Sequence, residues 1–388
     1  MPPKHFRHAL PRARFPRRRR VLVGIAAFVT LPLALSLALS ARASETFRPD
    51  GAIAPVGAAA AAPVQSAQSP AADPAATTTA GCTMSAILVP SCGAWWGVSP
   101  GGSGKASTEV AEFERLTGER TDIFHGYHQF GDMFPSASER DLARSPQGKR
   151  LLLFSLMPTS GGRTWAQVAS GAQDAYLAQL ASYIKTNFPE KFFITLHHEP
   201  ENDVIPRAGS GMQATDFRDM FRHVVTKMKS LGVNNVVWVV TYQGVQSYKL
   251  DSWWPSLYPG DDVVDWIAWD IYSCVAPAPG QPCIDFSQMM NRRYSNQTPW
   301  VGMYNWATAN HPGKPLMIPE FGVYDVGGTR KATVLTSIGQ QVNQFPAIKA
   351  IVYWNSGTGK KSMIQYGQGA VAAARWSATQ PWTRQSVG

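Results

Sequence analysis

The 388-residue chain is poor in the motifs that announce most cofactor-dependent classes. Its four cysteines stand as C-x9-C and C-x8-C, which are not zinc-finger spacings, and no HExxH or HxH is present. No glycine-rich G-x-G-x-x-G opens a helix after the first apolar run, so the dinucleotide fingerprint is missing too. The first 43 residues contain no acid and nine of the Lys and Arg residues. Subtracting those nine from the net charge of +10 leaves about +1 for the rest. A body so close to neutral lacks the footprint needed to hold a phosphate backbone, which argues against nucleic-acid binding.

What the N-terminus does have is order. A basic stretch ending in Arg17 to Arg20 is followed by an apolar run from Val21 to Ser40 and then by Ala41-Arg42-Ala43. That succession predicts an export signal over residues 1–43, cleaved after Ala43, with an uncleaved membrane anchor as the alternative. Arg18-Arg19 loosely resembles a twin-arginine signal and does not decide the export route. Residues 44–80 are Ala, Pro, Ser and Thr with almost no large apolar side chains, which predicts a flexible linker. Export permits disulfides, and the proximity of Cys82 to Cys92 and of Cys274 to Cys283 favours the local pairing among the three that four cysteines allow.

From residue 81 to 388, short apolar runs alternate with amphipathic stretches. Strands are predicted at 94–98, 122–127, 150–157, 192–199, 235–241, 264–272, 315–320 and 350–354, with helices at 107–117, 165–188, 214–231 and 329–345. Within 165–188, Tyr176, Leu177, Leu180, Tyr183 and Ile184 recur at helical spacing. Eight strands in about 300 residues fit a single α/β domain, a (β/α)8 TIM barrel. A doubly wound open sheet is the alternative.

In such a barrel the active site lies where the strands end. Glu199 closes the fourth predicted strand, in "ITLHHEPEN", and Glu320 closes the seventh, in "KPLMIPEFGVYD". Strands four and seven are roughly opposite in an eight-strand ring. Paired carboxylates there are what glycoside hydrolysis requires, one to protonate the departing oxygen and one to attack the anomeric carbon. Alternation places Leu316, Ile318 and Glu320 on one face of strand seven, and Trp266, Ala268, Asp270 and Tyr272 on one face of strand six. Asp270 and Tyr272 then reach the site beside Glu320, where the tyrosine hydroxyl can orient the carboxylate. The acid needs a raised pKa, and the nucleophile needs hydrogen-bond donors to stay ionised.

These residues resemble glycoside hydrolase family 26, whose best-known members are secreted β-mannanases within the clan of retaining (β/α)8 glycosidases. The likeness lies in His198-Glu199, Asp270-Ile271-Tyr272 and Glu320-Phe321-Gly322, and in their surroundings "GAWWGVSP", "NVVWVV", "YPGDDVVDWIAWDIY" and Trp354, in order from about Gly93 to Trp354. The resemblance implies Glu199 as general acid/base, Glu320 as nucleophile, Tyr272 as the nucleophile's partner and His198 as a contact near the reacting sugar. Two departures fall where sugars would be gripped. Pro200-Glu201-Asn202 stands in place of Met-Asn-Gly, and Trp354-Asn355 in place of Trp-Arg. They leave the polysaccharide open.

Other readings attach to the neighbours. A metal at His197-His198-Glu199 is disfavoured because adjacent strand residues point to opposite faces. The same alternation puts His197 with Glu199, so His198 enters the site only if the strand bulges, and otherwise His197 is the inward histidine. Glu201 and Asp203 read as solvated loop acids, with substrate contact the alternative and Glu201 the close rival to Glu199 as the acid. Trp95, Trp96, His197, Trp306, Trp354 and Asn355 are the substrate-binding candidates, whereas Trp165, Trp238 and Trp253 read as packing. His125 and His128 either line the cleft or cap a loop. The expectation is therefore an exported, monomeric, cofactor-free and metal-free enzyme whose partner is a β-linked polysaccharide. Its rivals are a non-catalytic carbohydrate-binding barrel and a metal-dependent hydrolase.

Overall fold

The structure, a computed structural model, describes residues 82–101, 105–275, 283–293, 299–357 and 362–383. The export signal at 1–43 and the linker at 44–80 lie outside the described residues.

The apolar runs form eight parallel strands: β1 Trp95–Pro100, β2 Ile123–Gln129, β3 Leu151–Met157, β4 Phe192–Leu196, β5 Val236–Gln243, β6 Trp266–Ser273, β7 Leu316–Val323 and β8 Ile348–Asn355. They pair in sequence order, and β1 closes on β8 from Trp95 opposite Ala350 to Pro100 opposite Asn355. Closure excludes the open-sheet alternative. The predicted helix at 165–188 is two helices, Trp165–Ala169 and Asp174–Asn187, because Gly171 between them takes a left-handed φ of +87°. On the second helix Tyr176, Leu177, Leu180 and Ile184 are buried, as their spacing requires.

Side chains fill the barrel in layers. The floor is apolar, with Trp95, Ile123, Leu153, Phe193, Trp266, Met317 and Val352 packed around Leu88. Leu88 is fully buried at the tip of the loop closed by the Cys82–Cys92 disulfide. The loop carbonyls of Leu88 and Ile87 each accept an indole N–H, from Trp95 and Trp266 respectively, at 2.7 Å. This satisfies two polar groups that an apolar interior leaves without water. The second disulfide joins Cys274 to Cys283, so both local pairings are present.

A polar layer lies above the floor. His125 Nδ1 donates to the Pro319 carbonyl across the barrel (3.0 Å), and its Nε2 accepts from Ser155 Oγ (2.9 Å). Thr195 donates to Thr241 at 2.9 Å. Burial holds the His125 pKa down at about 4, so this ring is a neutral strut.

β7 departs from simple alternation. Leu316 and Ile318 pack outward against the helices, and Met317 is the residue that enters the floor. Between Ile318 and Phe321 the strand carries one residue more than β8, and between Met317 and Phe321 one more than β6. The single face expected for Leu316, Ile318 and Glu320 is thus corrected: a β-bulge turns Glu320 inward. β6 follows the expected alternation, with Trp266 and Ala268 in the floor below Asp270.

Candidate active site

The barrel mouth collects polar side chains from the ends of β2, β4, β5, β6 and β7. Glu320 is 6% exposed, and each of its carboxylate oxygens accepts a tyrosine hydroxyl. Tyr127 at the end of β2 donates to Oε1 at 2.6 Å, and Tyr272 at the end of β6 donates to Oε2. Room for Tyr272 comes from Gly322, where a Cβ would stand 2.5 Å from the tyrosine ring. In Glu320-Phe321-Gly322, then, the bulge aims the acid, Phe321 packs outward into the core and the glycine clears space for the acid's partner.

Burial alone would push the Glu320 pKa up. His198, whose Nε2 lies 3.9 Å from Oε1, then His125 and the two hydroxyl donors outweigh it and hold the pKa below the ordinary value. His125 is itself neutral above about pH 4, so the tyrosine hydroxyls carry this effect in the neutral range. The two phenols are pushed well above 10, first by burial and then by the charge on Glu320, and therefore remain donors. Asp270, buried one layer below Tyr272, adds a further negative charge acting on both tyrosines.

Glu199 reaches the mouth by a different device. β4 ends at Leu196, and both His197 (φ +49°) and Glu199 (φ +53°) adopt left-handed backbone conformations. For non-glycine residues these cost about 1–3 kcal/mol each and gather at functional sites. They break the alternation that would have paired His197 with Glu199. His198 therefore faces Glu320, while His197 is corrected to an outward position: its Nδ1 accepts the Trp165 indole N–H (3.0 Å) and its Nε2 donates to Asp203 (2.8 Å). Glu199 Oε2 accepts from Asn202 Nδ2 at 2.9 Å and from Gln243 Nε2 at 3.3 Å. The charges of Glu199 and Glu320 both reach the Tyr324 hydroxyl and, after burial, raise its pKa to about 12. The two carboxylates thus share one neighbourhood.

The remaining candidates divide. Trp354, at the end of β8, stands edge-on to Tyr127 at 5.6 Å and lines the mouth. Trp95 lies in the barrel floor, and Trp96 is buried on the outer side against Phe113 and Trp382. Both begin β1, at the end remote from the site. Trp306 sits on the helix Met303–Asn310 against Trp254 (4.8 Å) and His311 (5.1 Å), in the outer layer. Asn355 alternates with Trp354 and turns outward, accepting the Ile364 N–H at 2.9 Å. These four do not reach the mouth, which corrects their assignment as substrate contacts. His128 stacks on Phe134 and bonds Glu139, capping a loop. Glu201 is no solvated acid, being fully buried in an ion pair with Lys249.

Tyr127 escaped the sequence reading, although it shares a face with Ile123 and His125. Among the described residues, His198, Asp270 and Glu320 are the group that could hold a cation, with one ligand atom from each lying within 4.8 Å of the others. Glu320 would have to surrender a tyrosine hydroxyl to do so.

No family model matches the chain, and no curated protein matches it. Solved structures do. A Bacillus subtilis mannanase aligns with 76% of this chain and 87% of its own, at 14% identity and a TM-score of 0.51. A GH26 β-mannanase from Bacteroides ovatus aligns with 75% of this chain and 90% of its own, at 15% identity and the same TM-score. The chain shares the barrel fold of these two solved structures. A ruminal GH26 endo-β-1,4-mannanase extends the likeness, over 75% of this chain and 64% of its own, at 15% identity and a TM-score of 0.51. At such identities the likeness is one of fold.

Proposed function

We propose that this chain is an exported retaining endo-β-glycosidase that hydrolyses a β-linked polysaccharide, with β-mannan the first candidate and β-glucan or xylan the next. The observation that carries the reading is Glu320, a buried carboxylate at the barrel mouth held ionised by two tyrosine hydroxyls, with Glu199 in the same neighbourhood. The mannanase names of the structural neighbours support mannan, and the two disulfides support export.

Glu320 Oε1 or Oε2 attacks the anomeric carbon while Glu199 gives its proton to the glycosidic oxygen. The carbon–oxygen bond breaks and the leaving sugar departs as an alcohol. Glu199, now ionised, takes a proton from water, whose oxygen displaces Glu320 and restores both groups. Retention requires the two carboxyl groups to be about 5 to 5.5 Å apart. Tyr272 and Tyr127 steer Glu320, His198 lies where the reacting sugar would contact it, and Trp354 offers a ring for stacking. The enzyme acts as a monomer on its polysaccharide and needs no cofactor.

The test is reducing-sugar release from mannan, xylan, mixed-linkage β-glucan and cellulose by the wild type, Glu199→Ala and Glu320→Ala. Hydrolysis of one polymer by the wild type and neither variant is expected. Full activity in either variant refutes the assignment, and glycan binding without hydrolysis makes the chain a non-catalytic carbohydrate-binding barrel.

A further inference from the structure

The proposed reaction leaves one expensive feature unused. The side chains of Glu201 and Lys249 are each 0% exposed and paired with one another beneath the turn that follows Glu199. Glu201 Oε1 also accepts the Trp254 indole N–H (3.3 Å), and the backbone N–H of Gln243 donates to both Glu201 oxygens at 3.2 Å. The ammonium of Lys249 lies over the Trp254 ring at 4.7 Å and the Tyr242 ring at 5.3 Å. Removing two charges from water is costly, and well-packed apolar residues often serve stability as well or better. A pair in this place therefore calls for a role in geometry.

The geometry it sets is that of the turn Pro200–Asn202, which follows Glu199 directly. Glu201 is the middle residue, so its burial drives the turn inward and leaves its neighbour Asn202 at the surface beside Glu199. Asn202 Nδ2 then donates to Glu199 Oε2, and Gln243 Nε2 donates to the same oxygen and to Asn202 Oδ1 (2.7 Å). Gln243 is thus shared, its backbone holding Glu201 and its side chain holding Glu199 and Asn202.

We infer that Pro200-Glu201-Asn202, Lys249 and Gln243 form a clamp that positions the acid/base: the Glu201–Lys249 pair anchors the turn, and Asn202 and Gln243 hold the Glu199 carboxyl through Oε2. Asn202, Glu201 and Lys249 are positioning residues, since they act through Glu199. The inference rests on the reading of Glu199 as acid/base and adds how this chain's own turn serves it.

The experiment compares two substrates of the sugar identified on the polysaccharide panel: an unactivated oligosaccharide, whose leaving group needs the proton, and its 2,4-dinitrophenyl glycoside, whose leaving group does not. Asn202→Ala alters an exposed side chain and tests the clamp without threatening the fold. For the oligosaccharide, kcat and kcat/KM should fall together by about 10- to 100-fold with KM nearly unchanged, the pattern for an interaction made only in the transition state. For the dinitrophenyl glycoside, kcat/KM should change by less than about 3-fold, because bond cleavage there does not draw on the acid. Lys249→Met, checked by thermal unfolding, should show the same contrast. Equal losses on both substrates, a change confined to KM, or no change in Asn202→Ala overturns the clamp. A wild type that hydrolyses nothing on the panel overturns the underlying reading instead, and the two failures are told apart by the wild-type control.

Discussion

Replacing Tyr127 with Phe removes one hydroxyl and nothing else from the surroundings of Glu320. The hydroxyl donates to Glu320 Oε1 at 2.6 Å, in a site where that carboxylate is 6% exposed. A hydrogen bond to a charged group contributes about 1.5–3 kcal/mol, and 1.36 kcal/mol corresponds to one pKa unit, so losing it should raise the Glu320 pKa by about one to two units. The sign follows from which form is favoured. Donors stabilise the ionised carboxylate and depress its pKa, so their removal raises it. Under the proposed mechanism Glu320 attacks only when ionised, and the acid limb of the kcat/KM profile should therefore move to higher pH by roughly the same one to two units. The assay is the initial rate of hydrolysis of a soluble oligosaccharide across the acid range, for the wild type and Tyr127→Phe. Tyr272→Phe should behave alike, because Tyr272 holds the other oxygen. An acid limb that stays in place in both variants refutes the claim that these hydroxyls keep Glu320 ionised.

Three further outcomes are expected. Lys249→Met alone leaves Glu201 buried without its cation and should destabilise the fold by about 3–5 kcal/mol in chemical denaturation, whereas adding Glu201→Leu should recover most of that loss. The pKa of His125 falls from 6.5 to about 4 on folding, so its contribution is complete above pH 6.5 and is lost as the pH drops toward 4. The difference amounts to about 3 kcal/mol, read as the gap between the pH–stability curves of the wild type and His125→Asn; taking the gap cancels Asp122, whose pKa burial raises to about 7. Trp96→Ala should cost about 3–5 kcal/mol of stability with KM unchanged, while Trp354→Ala should raise KM.

The barrel was legible because its strands are apolar runs bounded by amphipathic helices, and β6 obeyed alternation so closely that Asp270 and Tyr272 could be placed from spacing. β7 was misread for the reason that makes it useful. A bulge adds one residue without leaving a mark in the hydrophobic pattern; here Met317 rather than Ile318 faces the floor, and the extra residue beyond Ile318 turns Glu320 into the mouth. The left-handed conformations at His197 and Glu199 are equally silent in composition, yet they decide which histidine faces Glu320. The tryptophan errors were avoidable. Trp95 and Trp96 begin β1, and the mouth lies at its other end, so strand direction alone removes them. Tyr127 was available by the same alternation that placed Tyr272. The burial of Glu201 was not, because it depends on Lys249, 48 residues further along, arriving from the loop after β5.

The central claim is that Glu320 forms a covalent bond to sugar. Incubating the protein with a 2-deoxy-2-fluoro glycoside of the hydrolysed sugar, carrying a good leaving group, slows breakdown of the intermediate enough for intact-mass measurement and peptide mapping. The account predicts one sugar per chain, attached to the peptide containing Glu320 and absent in Glu320→Ala. Attachment at another residue contradicts it, as does inversion of the anomeric configuration in the products of an active enzyme.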